Sequence, residues 1–246
     1  MELYKYCKSA HHDSLLSQGA FRVGTLHDYR RTDAFGELVA DQHEGKKVLG
    51  GVISHLSAES ASQYPGIEAL RQAKLINIDL SGGGTITNLT IKNAVSESPN
   101  LLIFSTSAEY SSETHGHWHE AEGYDACYKV TSARLFFRAL TSALGPDYSF
   151  LGFGRVIYAD SLDLKDPLSN VHPAMVKRLS DFFGQAEIRG VWKSNRSKDL
   201  SPVLVEVSRA GLYAMPYKKL APVGAPNPSI ERTATGKPAS AAHLKR

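Results

Sequence analysis

The sequence predicts an α+β protein with mixed, mainly antiparallel sheets and three or four helices. Segments with the composition of short strands outnumber segments with helical spacing of apolar residues. The two kinds do not alternate regularly along the chain, which disfavours a strictly alternating α/β fold. A chain of 246 residues buries enough apolar surface to fold without disulfides or metals.

The first half of the chain is predicted to consist mostly of strands. A strand at 3–7 precedes a helical segment that ends at Gly19, because glycine tolerates the positive φ of a helix C-cap. After a strand at 20–24, Thr25 and Asp28 are spaced as a loose capping box for a short helix. Further along we expect strands at 46–57 and 85–95 with a helix at 64–73 between them.

The second half contains an apolar strand, at 101–107, that becomes polar at its end. Thr131 is placed to cap a helix whose apolar residues recur at helical spacing. The remaining predicted elements are strands at 124–130, 154–159, 186–192 and 202–207, and helices at 132–144 and 171–183.

The composition changes at residue 221, so we expect a single globular domain over 1–220 and a disordered basic tail over 221–246. Such a tail has almost no large apolar side chains with which to offset its ordering entropy. It carries four basic residues and one acidic residue, which accounts for the whole net charge of +3. The domain itself is therefore neutral, which removes a global electrostatic argument for nucleic-acid binding and leaves only a local patch.

The last part of the tail, NPSIERTATGKPASAAHLKR, resembles the translated recombination site of an integron gene cassette. The resemblance implies a gene carried on a mobile bacterial element, a setting associated with accessory functions such as toxins and phage defence.

Neither a secretory signal nor a membrane span is predicted. The opening residues lack the apolar core of a signal peptide, and no apolar run approaches the roughly 20 residues that cross a bilayer. Cys7 and Cys127 lie in strand-like surroundings and are expected to be reduced thiols. We therefore expect a cytoplasmic protein without a membrane partner.

Two charged side chains share one face of the predicted strand at 186–192. Side chains alternate along a strand, so Glu187 and Arg189 lie on one side while their apolar neighbours face the other. If the apolar face is the packed one, the carboxylate faces a cleft, and Gln185 projects to the same side. A plain ion pair with neighbouring strands explains the two charges equally well.

A second polar cluster ends the strand at 101–107, with Ser105 and Ser107 on one face and Thr106 on the other. Arg22 lies in an earlier strand. This order of a basic residue, Ser-Thr-Ser and Gln-x-Glu resembles the arginine, Ser-Thr-Ser, glutamate class of mono-ADP-ribosyltransferases. The resemblance implies a split β-core and NAD as the substrate.

In that family the arginine contacts the NAD phosphates, a role that falls on Arg22, and the Ser-Thr-Ser strand shapes the nicotinamide pocket. The family glutamate binds a hydroxyl of the nicotinamide ribose, which implies this role for Glu187, and the residue two before it, Gln185, helps to select the acceptor. A carboxylate suits this chemistry because cleavage of the nicotinamide–ribose bond passes through an oxocarbenium-like state. Lys5 or Arg30 could contact the phosphates instead.

A second resemblance covers more of the chain. The order of the blocks LYKY, LLSQGAFRVGTLHDYRR, ADQHEG, IFSTS, YDACYKV, GRVIYAD and QAEIRGVW is similar to that in a broad group of uncharacterised bacterial and phage-linked proteins. Those proteins look like distant ADP-ribosyltransferase relatives. The resemblance implies further site candidates, namely Lys5, Tyr6, Tyr29, Arg30, Asp41 and Glu44.

A histidine patch, HGHWHE, offers another candidate site. On a strand His115, His117 and His119 would share one face and could hold zinc with an open position. Gly116 and the polar surroundings favour a flexible loop, so we expect no metal. In that case His117 and His119 lie in a loop that covers the cleft and contacts the acceptor.

Three functions remain open at this point. The leading hypothesis is an NAD-consuming enzyme that transfers ADP-ribose to a protein or nucleic-acid acceptor, or hydrolyses NAD, as a toxin or phage-defence effector. The second is a non-catalytic module that binds a nucleotide or a protein in the same cleft. The third is a zinc-dependent hydrolase built on the histidine patch.

Overall fold

The computed structural model describes most of the chain, namely residues 1–31, 33, 40–179, 185–196, 199–208 and 212–220. This part contains four α-helices and mostly antiparallel strands, so the predicted α+β class is confirmed. No helix in the described ranges is long and apolar enough to cross a membrane. The tail predicted at 221–246 lies outside the described residues.

The helices are α1 (Ser9–Gln18), α2 (Pro65–Gln72), α3 (Ser112–Glu122) and α4 (Ala133–Leu144). The strands are β1 (Leu3–Cys7), β2 (Ala20–Thr25), β3 (Lys46–Leu56), β4 (Ile86–Glu97), β5 (Leu102–Ser107), β6 (Ala126–Val130), β7 (Tyr148–Arg155), β8 (Ile157–Tyr158), β9 (Leu162–Asp163), β10 (Val176–Lys177), β11 (Glu187–Ser194), β12 (Val203–Glu206) and β13 (Ala214–Lys219). Short 3-10 helices lie at Asp28–Arg30, Ala61–Gln63, Pro167–Asn170 and Pro173–Met175.

The largest sheet has eight strands and branches at β5. Six strands follow the order β12, β2, β5, β1, β6, β13, and β11 pairs with β5 and with β7. The start of β5 pairs with β2, its last residue pairs with β1, and its whole length pairs with β11. The polar end of β5 therefore lies where β1 and β11 meet.

A main hydrophobic core fills the space between α4 and this sheet. Phe136 and Phe137 of α4 are fully buried, as is Trp192 of β11. Gly190 faces the same core, and a Cβ at that position would overlap the ring of Phe137. The face of β11 that carries Ile188, Gly190 and Trp192 thus packs on the main core. The opposite face is buried as well, because Val191 packs in a small apolar cluster of its own, and the charged residues of this face lie at the cleft.

A smaller core lies under the long hairpin of β3 and β4. These strands pair with each other and β3 also pairs in parallel with β9. The apolar face of the hairpin packs on α2, with Leu49, Ile53, Leu56 and Leu70 fully buried. The loop that precedes β3 brings residues 40–45 towards the end of β5.

Most predicted elements are confirmed by the structure. The helical segment before Gly19 ends there with φ at 68°, and the Gly19 amide donates to the carbonyl of Leu15. The amide of Asp28 donates to Thr25 Oγ1 over 3.0 Å at the start of a 3-10 helix. The other confirmed elements are the strands at 3–7, 20–24, 46–57, 85–95, 101–107, 124–130, 186–192 and 202–207, and the helices at 64–73 and 132–144.

Two local predictions are wrong, and a third is contradicted over part of its length. The helix predicted over 171–183 is replaced at residues 173–177 by a 3-10 helix and β10, because pairing with β8 holds residues 176–177 extended, while residues 180–183 lie outside the described part of the chain. The histidine patch is neither strand nor loop but lies in α3, whose N-cap Ser111 accepts from the Thr114 amide. The N-cap of α4 is Ser132, and the Thr131 hydroxyl donates instead to a carbonyl of residue 213.

Candidate functional site

A cleft lies where the polar ends of β5 and β11 meet β1. The cleft and its mouth, which opens to solvent, together contain about 750 Å³ of space that no protein atom occupies. We call it the central cleft, and it is lined by Tyr4, Lys5, Tyr6, Tyr29, Glu44, Ile103, Ser105, Thr106, Ser107, Thr114, Trp118, Tyr124, Lys177, Gln185, Glu187 and Arg189.

The pairing register of β5 and β11 brings the two predicted clusters together. Ser105 is opposite Arg189 and Ser107 is opposite Glu187, so these four side chains share one face of the strand pair. On this face the Ser105 hydroxyl donates to Glu187 Oε1 over 2.5 Å. Two motifs that are eighty residues apart in sequence thus form one contact in the fold.

Glu187 is 4% exposed and is surrounded by donors. Besides Ser105, Arg189 Nε donates to its Oε1 over 2.8 Å, and Lys177 Nζ lies 3.0 Å from its Oε2. Burial alone would raise the pKa of Glu187, but the two cations and the hydrogen bonds outweigh it and hold this pKa well below its usual range. The carboxylate is therefore ionised at neutral pH.

A second carboxylate, that of Glu44, lies on the other side of Arg189. Arg189 is fully buried, and its guanidinium donates to Glu44 Oε1 over 2.6 Å and to Glu44 Oε2 over 3.1 Å. It also donates to the carbonyl of Ala174. Although burial disfavours the charged form, the two carboxylates raise the pKa of Arg189 above its ordinary value.

Lys177 completes this arrangement, because its Nζ also lies 3.8 Å from Glu44 Oε2. We call Glu44, Lys177, Glu187 and Arg189 the charge quartet. Each member is buried, and each lies next to members of the opposite sign. Buried charges are tolerated when they are paired in this way. The ion-pair interpretation of Glu187 and Arg189 is thus compatible with a cleft, since the same residues line it.

The hydroxyl groups of the Ser-Thr-Ser strand have different environments. That of Ser105 contacts Glu187, whereas Thr106 Oγ1 donates to the carbonyl of Ile188 over 3.0 Å. Ser107 Oγ lies 2.9 Å from the carbonyl of Gln185 and 2.8 Å from that of residue 109. Thr106 and Ser107 therefore hold the backbone at the cleft, and Ser105 is the one that contacts the acid.

Lys5 and Tyr29 form two further parts of the cleft lining. Lys5 Nζ donates to the carbonyl of Ser105 over 2.8 Å. Burial lowers the pKa of Lys5, although the negative charge of Glu187 acts in the opposite direction. The ring of Tyr29 lies against Gly24, where a Cβ would be 2.5 Å from a ring carbon. A glycine at position 24 is thus what allows the ring to lie there.

Three predicted residues lie behind or beside the cleft instead of lining it. Arg22 is on β2, its side chain is 43% exposed, and it pairs with Asp28. Arg30 Nε donates to the backbone carbonyl of Glu44 over 2.7 Å, and the Glu44 amide donates to the carbonyl of Asp41 over 2.8 Å. Arg30 and Asp41 therefore hold the loop that carries Glu44. The pKa of Asp41 is raised, mainly by its burial and secondly by the negative charge of Glu44.

The three histidines of the patch do not share one face of α3. Residues two positions apart on a helix point to nearly opposite sides, so His117 does not share a face with His115 and His119. His115 is buried, with Nδ1 3.2 Å from the hydroxyl of Tyr110, and His117 and His119 are not part of the cleft lining. Within the described ranges no group of three or more histidine, cysteine, aspartate or glutamate side chains could hold a metal ion.

Sequence reasoning missed several lining residues. Lys177 falls in the segment that was predicted as a helix, and a two-residue strand such as β10 has no recognisable periodicity. Trp118 comes from α3, and its ring stacks on that of Tyr124 with centroids 5.6 Å apart. Tyr4, Thr114 and Tyr124 were also missed. For these five residues the sequence offers no motif beyond ordinary aromatic and polar patterns.

The lining combines charge with aromatic surface. Among the described lining residues, the three cations Lys5, Lys177 and Arg189 exceed the two carboxylates by one positive charge. Aromatic rings from β1, α3 and the segment after β2 form much of the remaining wall. Such a lining suits a ligand with an anionic group and a planar ring.

Comparison with known proteins adds no relative to this description: no protein-family model, no curated protein and no solved structure matches the chain. The function of the central cleft must therefore be argued from its own chemistry.

Proposed function

We propose that the central cleft binds NAD and that the protein cleaves the nicotinamide–ribose bond, as an ADP-ribosyltransferase-like enzyme or an NAD glycohydrolase. The observation that carries the proposal is the ionised carboxylate of Glu187, which accepts a 2.5 Å hydrogen bond from Ser105 within a cleft of net positive charge.

The roles of the residues follow from the reaction. When nicotinamide leaves with the bonding electron pair, positive charge develops on the ribose, and a fixed carboxylate such as that of Glu187 stabilises it. Lys5 supplies positive charge for the diphosphate in place of Arg22, which does not line the cleft. The stacked pair of Trp118 and Tyr124 offers an aromatic surface to a planar base. Water or an acceptor group then attacks the same ribose carbon.

One observation favours a second candidate, a module that binds a nucleotide without catalysis. Both oxygens of Glu187 already have protein partners, namely Ser105 and Arg189 on Oε1 and Lys177 on Oε2. A carboxylate that keeps all three contacts has little capacity left for a ribose hydroxyl.

The test measures nicotinamide release from NAD and, by calorimetry, NAD binding, for the wild type and for Glu187→Gln. The matched control is Glu68→Gln, the same chemical change at a half-exposed position on α2. We expect release by the wild type and by the control, and none by Glu187→Gln. Circular dichroism confirms that each variant is folded at the assay temperature.

The outcomes separate the candidates. Release by Glu187→Gln at the wild-type rate contradicts the enzymatic proposal, and NAD binding without release supports the binding module. If the wild type neither binds NAD nor releases nicotinamide, both functions are excluded. If release is observed, growth of bacteria that express the wild type or Glu187→Gln tests a toxic or defensive role in the cytoplasm, where NAD is available.

A further inference from the structure

Lys177 lies between two buried carboxylates. Its Nζ is 3.0 Å from Glu187 Oε2 and 3.8 Å from Glu44 Oε2. Lys177 is 8% exposed and lines the central cleft, so it is also accessible to a ligand there. The ammonium therefore lies within ion-pair distance of both carboxylates.

The two cations of the charge quartet differ in the shape of the charged group and in the flexibility of the stem that carries it. Arg189 is fully buried and donates to Glu187, to both oxygens of Glu44 and to the carbonyl of Ala174. A planar guanidinium with this many fixed partners cannot move without leaving several of them unpaired. Lys177 instead carries a compact charge on a flexible four-carbon stem, which can point in several directions.

The two oxygens of Glu187 are therefore not equivalent. Oε1 is fixed by Ser105 and Arg189, which are both on the paired strands β5 and β11. Oε2 is covered by Lys177, which comes from the short strand β10. Of the two, Oε2 is the oxygen that a ligand in the cleft can reach by displacing one flexible side chain.

On the basis of the proposed function, we infer that Lys177 is a positioning residue with two places: it pairs with Glu187 in the empty cleft and moves to Glu44 when a ribose hydroxyl binds Glu187 Oε2. Glu44 keeps the ammonium paired after the move, so no charge is left uncompensated in a buried site. The move also takes a cation away from the carboxylate where positive charge develops on the ribose. Glu44 thus contributes to the reaction without contacting the substrate.

This inference predicts opposite effects for the two residues. Lys177→Met leaves Oε2 uncovered, so we expect the affinity for ADP-ribose to increase about threefold to tenfold, because the displacement no longer opposes binding. Glu44→Gln removes the alternative carboxylate partner of Lys177. The ammonium then remains paired with Glu187, and the affinity for ADP-ribose falls about tenfold. The double variant regains at least the wild-type affinity, since there is no lysine left to displace.

The experiment titrates ADP-ribose, a fragment that retains the ribose and both phosphates but cannot be cleaved by loss of nicotinamide, into the four proteins by calorimetry. Lys165→Met is the matched control, since Lys165 lies over the ring of Tyr64 and not in the cleft lining. In the nicotinamide assay, Lys177→Met is expected to lower KM more than it changes kcat. A residue with a merely structural role would not produce the rescue of Glu44→Gln by Lys177→Met.

Each outcome decides the matter. Weaker binding by Lys177→Met would show that the charge of the ammonium favours the ligand, and unchanged binding would show that the ammonium need not be displaced from Oε2; both results overturn the inference and leave the proposed function intact. If Glu44→Gln does not fold, Lys177→Met alone decides. If the wild type binds no ADP-ribose and no NAD, the proposed function is wrong and the inference falls with it.

Discussion

Replacing Glu187 by glutamine should destabilise the protein. The change keeps the size of the side chain but removes the charge that faces Arg189 and Lys177 over 2.8 Å and 3.0 Å. Removal of one partner from a buried ion pair costs about 3–5 kcal/mol. Both cations keep Glu44 as a partner, so we expect a loss at the lower end, about 3 kcal/mol of unfolding free energy at pH 7.

The same argument gives the sign of the pH dependence. The pKa of Glu187 is depressed in the folded state, because Arg189 and Lys177 outweigh the effect of burial, whereas in the unfolded chain it returns to its ordinary value of 4.5. The folded state therefore binds fewer protons, and the stability due to Glu187 is present above about pH 4.5 and is lost as the pH falls further. The variant lacks this contribution, so its stability should fall less steeply on acidification.

Urea unfolding at pH 7 and at two or three lower pH values measures both effects. Glu68→Gln is the control, because Glu68 and Arg71 form a half-exposed pair of 2.9 Å on α2, which contributes at most about 0.5 kcal/mol. Equal losses for the two variants would refute the reasoning, since they would show that Glu187 is solvated and not part of a buried network. A parallel pH dependence of wild type and Glu187→Gln would refute the assigned pKa direction.

Further predictions concern two glycines and a buried lysine. Gly24→Ala places a methyl group 2.5 Å from the ring of Tyr29, so we expect the ring to be displaced and ADP-ribose affinity in calorimetry to fall about tenfold; an unchanged affinity would remove Tyr29 from the site. Gly190→Ala forces a Cβ into the ring of Phe137 and should cost about 1–3 kcal/mol in urea unfolding, a loss that an unshifted midpoint would contradict. Burial lowers the pKa of Lys47 to about 8, so the folded state binds fewer protons than the unfolded chain above that pH. Stability should therefore rise by on the order of 1 kcal/mol between pH 8 and 9.5, and Lys47→Met should abolish the rise.

Properties that depend on local periodicity could be predicted from the sequence. The two faces of β11 follow from the alternation of side chains alone, and the packing of Trp192 and Gly190 against α4 bears this out. The helix α4 is equally clear, because its apolar residues recur at helical spacing and become the buried ones. In both cases the periodicity of a single element decides which side chains share a face.

The rest of the site depends on contacts between distant segments, which one sequence does not reveal. Glu44 lies in a loop and was suggested only by a resemblance, while its bidentate contact with Arg189 arises from the path of the chain before β3. The segment around Lys177 has apolar spacing that suits a helix, but pairing of β10 with β8 holds it extended. Arg22 sits on the predicted strand, yet the branch at β5 places β1, with Lys5, nearer to the polar strand ends.

The charge quartet links the stability of the protein to the chemistry of its cleft. A single buried carboxylate would become protonated or would destabilise the fold, and each added cation keeps it ionised but also occupies one of its lone pairs. Two carboxylates that share two cations resolve this conflict, because Glu44 can pair with Lys177 when a ligand takes the place of Lys177 at Glu187. Under the proposed function, this arrangement lets the acid stay ionised while its contacts change, as cleavage of a ribosyl bond requires.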